Sequence, residues 1–222
     1  MSEQQAAIPI KIIMVGAMNV GKTSLVTKYA TGNKPGLTKT TKNASYVTKY
    51  KNINGQKFEI RLWDTAGQEK FKSLTKIFTK EAKIAILVYS IDDEESFNSL
   101  DEWLNLVKSS NEDNIILAVA ANKSDLASGK TISEERGKEY AKKIGAEWKS
   151  TSAMIENSGI EELINSLFTK YHSTNFGTDI TNSSLTISIE DSRMQKGGCC
   201  GGKPKVNNNA NRSHAYKNKW SS

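Results

Sequence analysis

The sequence predicts an α/β fold, a mostly parallel six-stranded sheet with one antiparallel strand and helices on both faces. Three observations carry this expectation. Ile84–Tyr89 and Ile115–Ala121 are continuous apolar runs without alternation, the pattern of parallel strands buried on both faces. Apolar runs of this kind take turns with stretches of helical period, which implies right-handed crossovers and a doubly wound sheet. One pair of segments, Ser45–Ile53 and Gln56–Trp63, instead alternates apolar and polar residues around Asn54-Gly55, a strong short hairpin signal.

The elements follow in order. Ile12-Ile13-Met14-Val15 is a short apolar run closed by Gly16 and reads as a buried strand. Lys22–Ala30 reads as the helix after it, and the hairpin comes next. Between the two long apolar runs, Phe97, Leu100, Trp103, Leu104 and Val107 recur at helical spacing. Ser133-Glu134-Glu135 supplies a cap and first-turn acids for another helix. Ala146–Ser150 reads as the last strand and Gly159–Tyr171 as the last helix, with Ile160, Leu163, Ile164 and Leu167 on one face. The expected organisation is a flexible N-terminus over 1–7, one folded domain over 8–172, and a mostly disordered tail over 173–222, where Ser, Thr, Asn and Gly dominate. Within the tail Leu185–Ile189 alternates like a strand but is too short to bury much alone.

Composition narrows the function classes. The chain has 222 residues, of which 37% are hydrophobic and 25% charged, as in a globular domain. The longest apolar run has seven residues, whereas a membrane-crossing helix needs about 20. The N-terminus lacks the basic start and apolar stretch of a secretory signal. The net charge of +7 is misleading as a whole-chain figure. Lys196–Ser222 carries six cations and no acid, so residues 1–195 hold 25 basic against 24 acidic groups. A folded nucleic-acid binder would carry the excess on its body, so nucleic acid is not an expected partner. A basic tail suits weak attraction to an anionic membrane surface. Cys199 and Cys200 are adjacent, cannot staple a core, and fit a reducing cytosol. His172 and His214 stand apart from any ligand cluster, and Trp103 and Trp148 read as core residues.

In a doubly wound sheet, ligands bind beyond the carboxyl ends of the strands, and four clusters fall there. Gly16-Ala-Met-Asn-Val-Gly21-Lys22-Thr23 has the G-x-x-x-x-G-K-[ST] spacing between a strand and a helix. Its main-chain N–H groups and the helix N-terminus suit phosphate oxygens. Lys22 would reach the terminal phosphates, and the Thr23 hydroxyl would take a Mg²⁺ site. Asp64-Thr65-Ala66-Gly67-Gln68 follows the third strand. There an acid suits Mg²⁺, Gly67 admits a main-chain N–H to a γ-phosphate, and Gln68 can orient an attacking water. Asn122-Lys123-Ser124-Asp125 follows the fifth. One carboxylate, Asp125, can accept from both N1–H and the exocyclic amine of guanine, a donor pair that adenine lacks. Thr151-Ser152-Ala153, after the sixth strand, has side chains small enough to let main-chain N–H groups approach a base.

Taken together, these clusters give a sequence that resembles the Ras superfamily of small GTPases over about residues 8–171. Trp63-Asp-Thr-Ala-Gly-Gln-Glu69, Val88-Tyr89-Ser-Ile-Asp-Asp-Glu-Glu-Ser-Phe97 and the paired cysteines look most like the Rab branch. The resemblance implies a P-loop G domain that binds GTP and GDP with Mg²⁺ and hydrolyses GTP slowly as a switch in vesicle traffic. Catalysis would rest on Gln68 and Lys22. Nucleotide contacts would come from Gly16, Asn19, Val20, Gly21, Lys22, Thr23, Ser24, Thr41, Gly67, Asn122, Lys123, Asp125, Ser152 and Ala153, and metal contacts from Thr23, Thr41 and Asp64. Thr41 takes its role from ungapped register with the family, with Thr38 and Thr40 close by. Effectors, an exchange factor and a GTPase-activating protein would read the switch segments of a monomer, in the cytoplasm or peripherally on an endomembrane.

The sequence also departs from the family. Met18 and Asn19 stand where small residues are usual, which implies slow hydrolysis. Residues 30–45 contain no aromatic to cover the guanine edge, which implies fast nucleotide release. Lys42-Asn43-Ala44-Ser45-Tyr46 replaces an apolar-Gly segment, Phe78-Thr79 replaces Tyr-Tyr, and Met154 stands in place of a lysine. Cys199 and Cys200, the candidate lipidation sites, are followed by 22 residues and no C-a-a-X ending.

Overall fold

The computed structural model describes residues 6–36, 41, 44–66, 72–111, 115–126, 131–177 and 195–196, with side chains at 72–75 and 195–196 left out of the description. Its strands are β1 (Ile8–Val15), β2 (Ser45–Ile53), β3 (Gln56–Asp64), β4 (Ile84–Ser90), β5 (Ile116–Asn122), β6 (Glu147–Ser150) and β7 (Gln195–Lys196). Its helices are α1 (Lys22–Thr31), α2 (Lys72–Thr79), α3 (Glu94–Asn98), α4 (Leu100–Lys108), α5 (Glu134–Lys143) and α6 (Ile160–Phe176). The sheet runs β6-β5-β4-β1-β3-β2-β7. β1 pairs in parallel with β3 and β4, and β4-β5-β6 continue in parallel. β2 is antiparallel to β3. The six expected strands are therefore present with the expected directions, and a two-residue seventh is added at the edge.

Apolar runs without alternation need two covered faces, and two cores supply them. Ile10, Ile12 and Met14 of β1, with Ile84, Ile86 and Val88 of β4, pack with Leu25, Val26 and Tyr29 of α1 and Leu163, Ile164 and Leu167 of α6. Ile13 and Val15 of β1, with Ala85, Leu87 and Tyr89 of β4, pack with Leu100, Trp103, Leu104 and Val107 of α4. Every residue of β4 is buried. Trp103 lies in the second core, and Trp148 packs against it. His172 is buried on α6, with its ring stacked on Phe176.

Local chemistry sets the boundaries. Asn54 and Gly55 have φ of 51° and 81°, the pair of positive values that a type I′ turn requires. The Ser133 hydroxyl accepts from the Arg136 N–H at 3.2 Å and opens α5. Asp93 caps α3 by accepting from the Ser96 N–H at 3.1 Å. The helical stretch read from Phe97 to Val107 is two helices that meet at Ser99. α6 continues to Phe176, past the expected helix end at Tyr171 and the expected domain boundary at 172, and Phe176 adds another ring to the edge-on contact of Phe58 with His172. Sequence reasoning did not anticipate α2. The Leu185–Ile189 stretch, Cys199 and Cys200 lie outside the described residues, as do Thr38 and Thr40.

Candidate functional site

The C-terminal ends of β1, β3, β5 and β6 surround a cleft of about 360 Å³. The chain turns from β1 into α1 through Gly16–Gly21. A Cβ at Gly16 would lie 2.1 Å from the Val88 carbonyl oxygen, and one at Gly21 would lie 2.4 Å from Asn122 Nδ2. A side chain at Gly16 would collide with β4, and one at Gly21 with the last residue of β5. Gly21 is also the N-cap of α1, with φ 93° and no side-chain cap. The helix therefore points uncapped N–H groups at the cleft, an arrangement suited to an anion.

Lys22 is only 5% exposed, and its ammonium donates to the carbonyls of Gly16 at 2.9 Å and Ala17 at 2.7 Å. The loop thus holds its own lysine across its mouth. Thr23 Oγ1 lies 2.7 Å from Thr41 Oγ1 and donates to Asp64 Oδ2 at 2.7 Å. Thr41 also reaches that oxygen at 3.3 Å. Asp64 Oδ1 is buried with no partner among the described residues. Burial pushes the Asp64 carboxyl above its usual range, against the opposing pull of the Thr23 hydrogen bond, the Lys22 charge and the Thr41 hydrogen bond. An unpartnered carboxylate oxygen beside two hydroxyls is a donor set that fits a hard divalent cation such as Mg²⁺. Thr65 steadies the group from behind by donating to the Met14 carbonyl at 2.6 Å.

The other end of the cleft is braced across loops. Asn122 is 2% exposed and donates to the Val20 carbonyl at 2.7 Å, tying β5 to the β1 loop. Thr151 donates to Asn122 Oδ1 at 3.2 Å. The Ser152 hydroxyl donates to Asp125 Oδ1 and accepts from the Met154 N–H at 3.0 Å. Asp125 is thereby oriented, with its second oxygen uncommitted to Ser152. Lys123 adopts φ 63° and pairs with Asp92 at 3.6 Å. The Ser90 hydrogen bond, with Lys123 nearby, holds the Asp92 carboxyl below its ordinary value.

Of the expected site residues, Asn19, Gly21, Lys22, Thr23, Ser24, Thr41, Asn122, Lys123, Asp125 and Ala153 line the cleft. Asp64 and Ser152 stand behind this wall and act on it through Thr23 and Asp125. The Val20 side chain is in the core, and Gly16 presents its carbonyl to Lys22. Gly67 and Gln68 lie outside the described residues. Sequence reasoning missed the bracing of the phosphate loop by Asn122, and it missed Thr65 and Leu126 in the wall. The position of Thr65 directly after the strand-end acid was the available signal. Met18 and Met154, noted as departures, also line the cleft and are 41% and 49% exposed.

A parallel sheet with a glycine-lysine loop after its central strand, a strand-end acid and a distal carboxylate defines a P-loop nucleotide-binding protein. The Ras family profile matches residues 11–173. The chain is 38% identical over 160 residues to the Ras-related protein Rab-21 of Geodia cydonium, covering 72% of this chain and 69% of that one. It is 39% identical over 157 residues to human Rab-21, covering 71% and 69%. Human Rab-30 is 35% identical over 163 residues, covering 73% and 80%. The chain belongs to the Ras family and is a small GTPase of the Rab type. Members of this family bind guanine nucleotide and Mg²⁺.

Proposed function

We propose that this chain is a molecular switch that binds GTP with Mg²⁺ and hydrolyses it slowly to GDP and phosphate. The observation that carries the proposal is the convergence of Thr23, Thr41 and the unpartnered oxygen of Asp64 at one end of a cleft whose other end holds Asp125 on Ser152. In this reading the main-chain N–H groups of Asn19–Ser24 surround the phosphates, and Gly16 shapes the loop. Lys22 leaves its two carbonyls for the β- and γ-phosphates and compensates their charge. Val20 contributes main chain only. Thr23, Thr41 and Asp64 would hold Mg²⁺, which would supply charge neutralisation for the phosphates. Asp125 accepts from the guanine donors, Lys123 and Asn122 frame the base, and the main chain of Ser152 and Ala153 closes over it.

Hydrolysis requires a water to attack the γ-phosphorus while the bond to the β–γ bridging oxygen breaks, leaving GDP. Family resemblance assigns Gln68 to orient that water and Gly67 to meet the γ-phosphate. Loss of this phosphate frees Thr41 and the Gly67 segment, the two elements that a partner reads. Effectors, an exchange factor and an activating protein then bind through these segments, and the process served is vesicle traffic. The chain works as a monomer without nucleic acid and sits in the cytoplasm or on the cytosolic face of an endomembrane. Cys199 and Cys200 are the candidate lipid sites for attachment there, and the basic tail is the alternative contact. Among the described residues no helix is long and apolar enough to cross a membrane.

The test is uptake of a fluorescent guanosine diphosphate by the purified protein with magnesium. Strong uptake that excess GTP but not ATP displaces is expected. No uptake, or equal displacement by ATP, would sink the proposal. The exposed Met18 in the cleft wall favours a second reading, a GTP-bound scaffold with negligible turnover. Nucleotide extracted from the purified protein separates the two: GDP marks the cycling enzyme and GTP the scaffold.

A further inference from the structure

β2 is satisfied along its inner side by β3, from Ser45 opposite Asp64 to Ile53 opposite Gln56. Its outer side is the edge of the sheet, except that Ser45 pairs antiparallel with Lys196 and Tyr46 with Gln195. An exposed strand edge offers unpaired N–H and C=O groups to any extended segment. Here the segment in place comes from the chain's own tail.

The connection makes this arrangement economical. α6 ends at Phe176, whose ring lies 5.5 Å from that of Phe58, and Phe58 stands opposite Lys51 of β2. The tail therefore leaves the body at one end of β2 and pairs at the other. Lys51 to Ser45 is six residues, about 20 Å of strand. The 18 residues between Phe176 and Gln195 reach roughly 60 Å when extended. That reach exceeds the span about threefold, and a covalent link of this length makes the pairing intramolecular. A two-residue ladder that would not hold free molecules together gains from this tether.

We propose that Gln195–Lys196 is a cis-acting strand that docks on the β2 edge beside Thr41 and occupies the place where an extended segment of another chain would add to the sheet. Strand addition works through main-chain hydrogen bonds, so the occupant needs no particular side chains, and Gln-Lys is adequate. Ser45 follows Thr41 by four residues, and the Thr41 hydroxyl touches Thr23 and Asp64. The docked strand thus braces the segment next to the cleft, and a partner strand has to displace it. The docking itself does not depend on the assignment of the cleft to guanine nucleotide.

Hydrogen–deuterium exchange of the full chain tests this directly. The Gln195→Pro/Lys196→Pro variant removes the main-chain donors of β7, and its rings bar the ladder that gives the outward amide of β2 its carbonyl acceptor. The protected outward amide of Ser45–Tyr46 should then exchange about fivefold faster, the protection one net hydrogen bond gives. Amides of Ile12–Met14 should be unchanged. Equal exchange in the two proteins overturns the docking. The Gln195→Ala/Lys196→Ala variant keeps the main chain and should match the parent within about twofold. A loss as large as that of the proline pair would place the contact in side chains and overturn strand addition. Failure to take up guanine nucleotide, with the exchange difference intact, would sink the reading of the cleft alone.

Discussion

Asp125 is the residue on which base choice should turn. Its carboxylate is aimed by the Ser152 hydroxyl, and a guanine bound there would leave two donors stranded if the acid were removed. Asp125→Ala should weaken GDP binding by about 100-fold or more while ATP stays excluded, because unpaired buried donors are costly. Competition titration with both nucleotides measures this. Met18 bears on rate rather than affinity. It is exposed in the cleft wall beside the phosphate loop, so Met18→Ser should speed single-turnover GTP hydrolysis severalfold, and an unchanged rate would remove steric crowding as the cause of slow turnover. Lys51 bears on stability. Its ammonium lies 4.9 Å from the Phe168 ring centroid and donates to Asn165, and burial pulls its pKa down to about 8. Between about pH 8 and 10 the unfolded chain therefore binds more protons than the folded one, and stability rises with pH. Below pH 8 both states hold the proton and this slope vanishes. Lys51→Met should flatten the rise, as read by urea midpoints across that window.

At the scale of elements, legibility followed how much of each segment's stabilisation is written in side chains. β4 and β5 were readable because both faces are apolar and covered. The hairpin was readable because Asn54-Gly55 is matched to two positive φ values. β2 was read at its observed bounds although two of its inward positions, among Val47, Lys49, Lys51 and Ile53, are lysines. The two lysines lay their stems on α1 and α6, with Lys49 4.1 Å from the Tyr29 ring centroid and 3.3 Å from Glu161. α2 carries Leu74, Ile77 and Phe78 at helical spacing and was missed despite it; its Ile77 is exposed while Phe78 meets Trp63 at 5.8 Å between ring centroids. β7 gave none, because main-chain pairing leaves no pattern in Gln-Lys. In the site, the glycine-lysine loop and the strand-end acids were legible from spacing. The brace from Asn122 to Val20 was not, since it spans 102 positions of sequence. α5 carries its own prediction. A Cβ at Gly137 would lie 2.4 Å from Tyr89 Oη and 2.6 Å from Trp148 Nε1. Gly137→Ala should cost roughly 1–3 kcal/mol through overpacking, seen as a lower denaturation midpoint with nucleotide affinity nearly unchanged.

For the whole molecule, ligand and stability are linked. The cleft joins loops from β1, β3, β5 and β6, so whatever fills it ties four strands together. GDP with Mg²⁺ at about 1,000 times its dissociation constant should add roughly 4 kcal/mol. For a domain of this size that raises the melting temperature by about 8–16 °C, and chelating the metal should return most of the gain. Calorimetry with and without EDTA decides it. The sheet itself is unevenly supported. β1, at its middle, pairs with β3 over Ile8–Met14 and with β4 over Ile12–Val15, and it launches the glycine-lysine loop. β2 is flanked in full on one side only and begins just after Thr41. The end of β1 that enters the cleft is therefore gripped from both flanks, while the strand that follows Thr41 leans on a single full-length neighbour and a two-residue strip.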